Sequence, residues 1–196
     1  NEEEEMTKNR KRVVMGLFLI LCLGIFSSSA FLIRKIKTDN VITFGNVKVQ
    51  LINHTLDENG KEVEVKDGKE ELLKYEDVSR IIKVKNVCNH PVYVRVKLNT
   101  TGKKNQEIFP AEDYVNYKFA DEKWREKDGW IYYTDVLEPN KTTEDLMRGI
   151  EFDVNRLTSE YAGSDIEFKA EVQAVQSENN SKNVFAVEGW PEEVAK

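Results

Sequence analysis

The chain has 196 residues, 29 lysines and arginines against 35 aspartates and glutamates, and a net charge of −6. Its 40% hydrophobic and 10% aromatic content is too high for a disordered chain, so it folds as one full-sized domain or two very small ones. The acidic balance lacks the basic footprint of a nucleic-acid binder, two cysteines build no disulfide framework, and two histidines leave little for His-based catalysis or zinc.

Lys8, Arg10, Lys11 and Arg12 form a basic cluster shortly after Met6. Residues 13–33 then carry no charge, are apolar at their centre and include Ser27-Ser28-Ser29-Ala30. A basic start, an apolar middle and small residues before the junction predict a secretory signal over residues 1–30, with Ser28, Ala30 and Phe31 defining cleavage after Ala30. The competing reading is an uncleaved anchor, because 21 uncharged residues at about 1.5 Å each reach across a bilayer core. In both readings the basic cluster stays cytoplasmic and the remainder is exported. The membrane is then met only through this segment, and signal peptidase is a partner. Cleavage leaves the charge at −6, since four basic and four acidic residues depart together. Cys88 becomes the one remaining cysteine, and such a thiol reads as a buried small hydrophobe.

Residues 31–42 read as an extended segment, with Phe31, Ile33, Ile36, Val41 and Ile42 as apolar anchors among Arg34, Lys35 and Lys37. Period-two patterning dominates the rest, assigned as one domain over residues 43–196. Val47, Val49 and Leu51 alternate with Lys48 and Gln50; Val92, Val94, Val96 and Leu98 alternate with Tyr93, Arg95 and Lys97. Ile166, Phe168, Ala170, Val172 and Ala174 alternate with Glu167, Lys169, Glu171 and Gln173. One apolar and one polar face is the signature of a half-buried strand. Shorter strands are expected at 80–87, 114–119, 130–137 and 149–154. Residues 56–73, charged and glycine-containing, read as a long loop or a weak surface hairpin. Lys127-Asp128-Gly129 reads as a hairpin turn and Glu138-Pro139-Asn140 as another. The sum is an all-β antiparallel sandwich with strands from about residue 41 to 176. A polar stretch follows, then a tail whose Phe185, Val187 and Trp190 suit docking back on the sandwich.

Several segments, in order, resemble the TasA/camelysin-type exported proteins. These are Ala30-Phe31 with Thr38-Asp39-Asn40-Val41-Ile42-Thr43-Phe44-Gly45-Asn46-Val47-Lys48-Val49, and Val84-Lys85-Asn86-Val87-Cys88-Asn89-His90-Pro91-Val92-Tyr93-Val94-Arg95-Val96. Asp128-Gly129-Trp130-Ile131-Tyr132-Tyr133, Leu137-Glu138-Pro139-Asn140-Lys141-Thr142-Thr143, and the late strand through Ala174-Val175-Gln176 continue the series. Departures are Phe31-Leu32-Ile33-Arg34 after the junction, Cys88 and His90 at positions of small residues, and Asn140 at a turn glycine. The resemblance implies a signal peptide of the SipW-processed class, a Gram-positive source and a jelly-roll-like sandwich. It also implies, for the better-known members, extracellular fibres of a biofilm matrix.

Camelysin-type relatives imply a metallopeptidase as a disfavoured alternative. There is no His-Glu-x-x-His, and His54 and His90 lie 36 positions apart. Asp57-Glu58-Asn59-Gly60 lacks calcium-loop spacing and reads as solvated charge. No catalytic residue, metal ligand or cofactor is assigned. Trp130 and Tyr132 share one strand face and form a candidate surface aromatic patch for a glycan, with packing as the plainer reading. The leading expectation is a secreted fibre subunit, self-associating or bound to matrix proteins, assembled by donation of residues 31–42 to a neighbour. The alternative is a membrane-tethered sandwich that binds a protein or glycan.

Overall fold

The computed structural model describes residues 35–43, 47–66, 70–72, 77–153, 156 and 163–191. The expected signal segment, its junction at Ser28, Ala30 and Phe31, and the anchor Ile33 lie outside the described residues. Two sheets face each other, as the alternation requires. Sheet A contains β1 (Lys35–Thr43), β4 (Glu70–Leu72), β6 (Val92–Lys104), β7 (Glu107–Pro110), β9 (Trp124–Lys127), β10 (Trp130–Tyr133) and β12 (Asp165–Gln176). Its order is β4-β1-β12-β6-β10-β9, with β7 added to β6. Sheet B runs β3-β2-β5-β11-β8, from β2 (Val49–Leu56), β3 (Glu62–Glu64), β5 (Asp77–Asn86), β8 (Val115–Phe119) and β11 (Met147–Phe152). The strand pairs are antiparallel except β1 with β12, which is parallel.

The core lies between the inner faces. Val92, Val94, Val96, Ile131, Ile166, Phe168, Ala170 and Val172 come from sheet A, and Val49, Leu51, Ile82, Val84, Met147, Ile150 and Phe152 from sheet B. Burying a large apolar side chain contributes roughly 1.5–3 kcal/mol, which offsets the cost of ordering the chain around it. Arg80 continues the inward series of Ile82 and Val84 and is fully buried, with Nη1 donating to the Ser79 carbonyl at 2.9 Å.

Turn chemistry fixes the hairpins. Asp128 (φ 53°) and Gly129 (φ 76°) form the two-residue loop between β9 and β10, since successive positive φ values match strand twist. Asn105 (φ 49°) and Gln106 (φ 74°) do the same between β6 and β7. In that hairpin Gly102 faces Phe109, and a Cβ on Gly102 would sit 2.0 Å from the Phe109 ring. The ring takes the space that the glycine leaves.

Two expectations change, and one open choice is decided. Of residues 56–73, expected as a long loop or a weak surface hairpin, Leu56 and Glu62–Glu64 pair in a short hairpin of β2 and β3, tied by Asp57 Oδ1 accepting from the Asn59 and Lys61 amides at 2.9 Å each, and Glu70–Leu72 supplies β4 to the opposite sheet. The strand expected over 130–137 ends at Tyr133, and Leu137 makes only an isolated bridge to Val92. Residues 35–43 form β1 inside sheet A, so the sandwich begins ahead of residue 43.

Candidate functional site

Two places concentrate the residues singled out by sequence. The first is the slot held by β1. Lys35–Thr43 pairs with β12 over nine positions, which set Ile36 opposite Ile166, Val41 opposite Glu171 and Ile42 opposite Val172. On its other side β1 pairs with β4 at three positions only, Lys35 with Leu72 through Lys37 with Glu70. Of the five assembly anchors, Ile36, Val41 and Ile42 therefore lie in this strand, while Phe31 and Ile33 are outside the described residues.

The second place is the outer face of sheet A. Trp130 and Tyr132 do share a face, but they are not a surface patch: they are 4% and 7% exposed. Val184 and Val187 of the carboxyl-terminal segment are buried against them, Tyr93 and Val175, with Phe185 and Trp190 at the margin. Phe185 and Trp190 meet the Tyr132 ring edge-on at 5.3 and 5.7 Å. Arg95, at a polar position of β6, lies within this cluster. Its guanidinium carbon is 4.1 Å from the centroid of Trp130 and 4.6 Å from that of Trp190, within cation–π range of both. Nε and Nη2 donate to Gln173 Oε1 at 2.9 and 2.7 Å, and Nη1 donates to the Tyr132 hydroxyl at 3.1 Å. Gln173 is itself fully buried.

Other polar clusters brace the fold. Glu144 accepts from Lys123 Nζ at 2.7 Å and from the Tyr133 hydroxyl, and Lys123 also reaches Asp135 at 3.1 Å. The Lys123 and Tyr133 bonds hold the Glu144 carboxyl down at about 2, against an ordinary 4.5. Beside it a hollow of about 380 Å³ is lined by Phe119, Asp121, Trp124, Arg125, Glu126 and Ile131. On sheet B, Glu62 accepts from His54 Nδ1 and from Lys83 Nζ, both at 3.2 Å; these bonds, the His54 bond first, lower its pKa. Thus His54 lies in a surface ion cluster. Cys88, expected as a buried small hydrophobe, is half-buried and polar in its contacts, accepting from the Lys48 amide at 2.7 Å and donating to the Lys48 carbonyl at 3.0 Å. Among the described residues, no group of three or more His, Cys, Asp or Glu side chains is arranged to hold a metal ion.

The quoted segments 84–96 and 137–143 meet in space through Asn86. Its Nδ2 donates to the carbonyls of His90 at 2.8 Å and Leu137 at 2.9 Å, and its Oδ1 accepts from the Cys88 amide at 2.8 Å. Asn140, at φ 61°, donates its amide to the Asn86 carbonyl at 3.0 Å. Thr143 exchanges two bonds with the Val84 backbone, at 3.0 and 2.9 Å. Arg95 and Gln173 were not singled out by sequence, since a polar residue at an outward strand position reads as solvated. The available signal was the tail, whose Phe185, Val187 and Trp190 need a partner face. Comparison of the chain with protein-family models, curated proteins and solved structures finds no match.

Proposed function

We propose that this chain is an exported bacterial structural protein of the TasA/camelysin type, a jelly-roll-like sandwich that builds matrix fibres by passing its amino-terminal strand to a neighbouring copy. The observation that carries the reading is the place of β1. It is the first strand among the described residues, parallel to β12 in an otherwise antiparallel sheet, lodged for nine positions along β12 and flanked outside by three residues of β4. The same segment of a second copy presents the same register to the same slot, so self-pairing and exchange differ chiefly in connectivity. Repeated passage of the chain between the two sheets supports a jelly-roll-like topology. The signal pattern and the ordered segments support export and family. The reading assigns no catalytic step.

The test compares protein spanning residues 31–196 with protein spanning 44–196, each concentrated alone and with a peptide of residues 31–43. Fibres are expected from the longer form, monomers from the shorter, and shortened fibres when the peptide competes. Fibres from the shorter form would overturn strand donation. Monomers throughout would favour a membrane-tethered surface domain instead.

A further inference from the structure

We propose that the outer face of sheet A is a binding platform for an acidic polysaccharide, and that residues 177–191 are its displaceable cover. On a chain of net charge −6, Arg95, Lys97 and Lys127 meet there beside the Glu171 carboxylate, which lies opposite Lys97 and accepts from Gln173 Nε2 at 3.2 Å. Arg95 lies between Trp130 and Trp190, Lys97 Nζ is 5.5 Å from the Trp130 centroid, and Lys127 Nζ is 5.7 Å from that of Phe185. The hydrogen-bond partners of Arg95 are neutral oxygens, those of Gln173 and Tyr132. Three of its five N–H groups are so engaged, which leaves donors for a carboxylate, the acceptor that guanidinium fits best.

These holders belong to β12 and β10, so the guanidinium stays aimed after the cover leaves. The rings of Trp130 and Tyr132 beside it suit the apolar face of a pyranose. A uronic-acid unit supplies both parts, a flat ring face and a carboxylate.

The cover is built to separate. Asn180 organises it internally, its Nδ2 donating to the Glu188 carbonyl at 3.0 Å and its Oδ1 accepting from the Ser181 and Glu188 amides at 2.9 and 3.2 Å. The strands beneath are already paired within sheet A. Hydrogen bonds from cover to body cluster at its junction with β12, where the Ser177 amide donates to the Pro91 carbonyl at 3.1 Å, Gln176 Nε2 to Glu178 Oε2 at 3.0 Å and Asn180 Nδ2 to the Gln176 carbonyl at 3.4 Å; over the rings, Lys127 Nζ donates to the Phe185 carbonyl at 3.5 Å. Apolar contact and ring stacking hold the rest. This inference is independent of strand donation, because a chain that never polymerises carries the same face.

The experiment measures binding of polygalacturonate, dextran and polyglutamate to the full chain and to its Trp190→Ala and Phe185→Ala variants by affinity electrophoresis. Opening the cover is expected to tighten polygalacturonate binding at least tenfold, leave dextran unbound, and lose the gain when Arg95→Gln is added. Equal binding by wild type and variants, no binding by any, or indifference to Arg95→Gln overturns the proposal. So does tighter capture of polyglutamate. Unfolding of both variants by circular dichroism also overturns it, since the segment would then be core rather than cover.

Discussion

Replacing Asn86 by alanine should be among the costlier substitutions in this fold. The side chain is fully buried at the end of β5 and makes three hydrogen bonds, to the carbonyls of His90 and Leu137 and from the amide of Cys88. Leu137 keeps a second partner, since its carbonyl also accepts from the Val92 amide at 3.1 Å, and His90 is exposed enough for water to replace the lost donor. The half-buried Cys88 amide is the group left worst off. An ordinary hydrogen bond contributes about 0.5–1.5 kcal/mol and an unsatisfied buried group costs about 1–3 kcal/mol, so the sum is about 2–4 kcal/mol. For a domain of this size that is a fall in Tm of roughly 5–15 °C. Urea melts followed by circular dichroism should show a lower midpoint with an unchanged slope. Asn86→Asp keeps the acceptor for Cys88 but loses both donors and sets a charge beside two carbonyls, so it should be at least as damaging. Asn89→Ala, at an exposed neighbouring position, should stay within about 0.5 kcal/mol of wild type. A midpoint for Asn86→Ala indistinguishable from that control would refute the assignment of Asn86 as the joint between the two segments.

Gly102→Ala forces a Cβ into the Phe109 ring and should cost about 1–3 kcal/mol, a penalty that disappears in a Phe109→Ala background when a double-mutant cycle is measured. The Glu144 carboxyl is depressed in the folded chain to about 2, so its contribution is present above the ordinary value of 4.5 and is lost as pH falls toward 2. The pair with Lys123 is more than a third exposed, so the difference between wild type and Glu144→Gln should be only about 0–1 kcal/mol at neutral pH, vanishing near the acid end of a stability titration. Burial raises the Tyr117 phenol to about 12, though its bond with Thr100 acts the other way. A raised phenol favours the folded state below the ordinary 10 and loses that advantage as pH climbs from 10 to 12. Tyr117→Phe should remove one late-titrating phenol from the absorbance at alkaline pH and flatten the stability curve there; an unchanged titration would count against the buried assignment.

The long strands were legible because their alternation is long. Val92 to Leu98 and Ile166 to Ala174 sit at the heart of β6 and β12, and both strands run further than the pattern did. β7 and β9 carry only Glu107–Pro110 and Trp124–Lys127, too few residues for a period to emerge. β1 reads as an extended donor segment or tether with no partner strand assigned, because Lys35, Lys37 and Asp39 interrupt its apolar residues and pairing between distant parts of a chain leaves no local trace. The aromatic residues of β10 illustrate the same limit. Alternation placed Trp130 and Tyr132 on one face, but whether that face is wet depended on where the tail came to rest. Arg95 was hidden for the opposite reason, as a cation at an outward position that the tail then covered.

The pairing of β1 with β12 also sets an order of events during synthesis. Lys35 and its partner Asp165 are 130 positions apart. At about 5–20 residues per second, the first strand emerges roughly 6–26 s before the one it must lie beside. β4 emerges earlier, but its three positions offer little to hold a nine-residue strand. Until residues 165–176 appear, Lys35–Thr43 is an unclaimed edge, and nascent chains on adjacent ribosomes would expose the same edge together. Closure of sheet A is thus a late step of high contact order, timed by translation rather than by local preference.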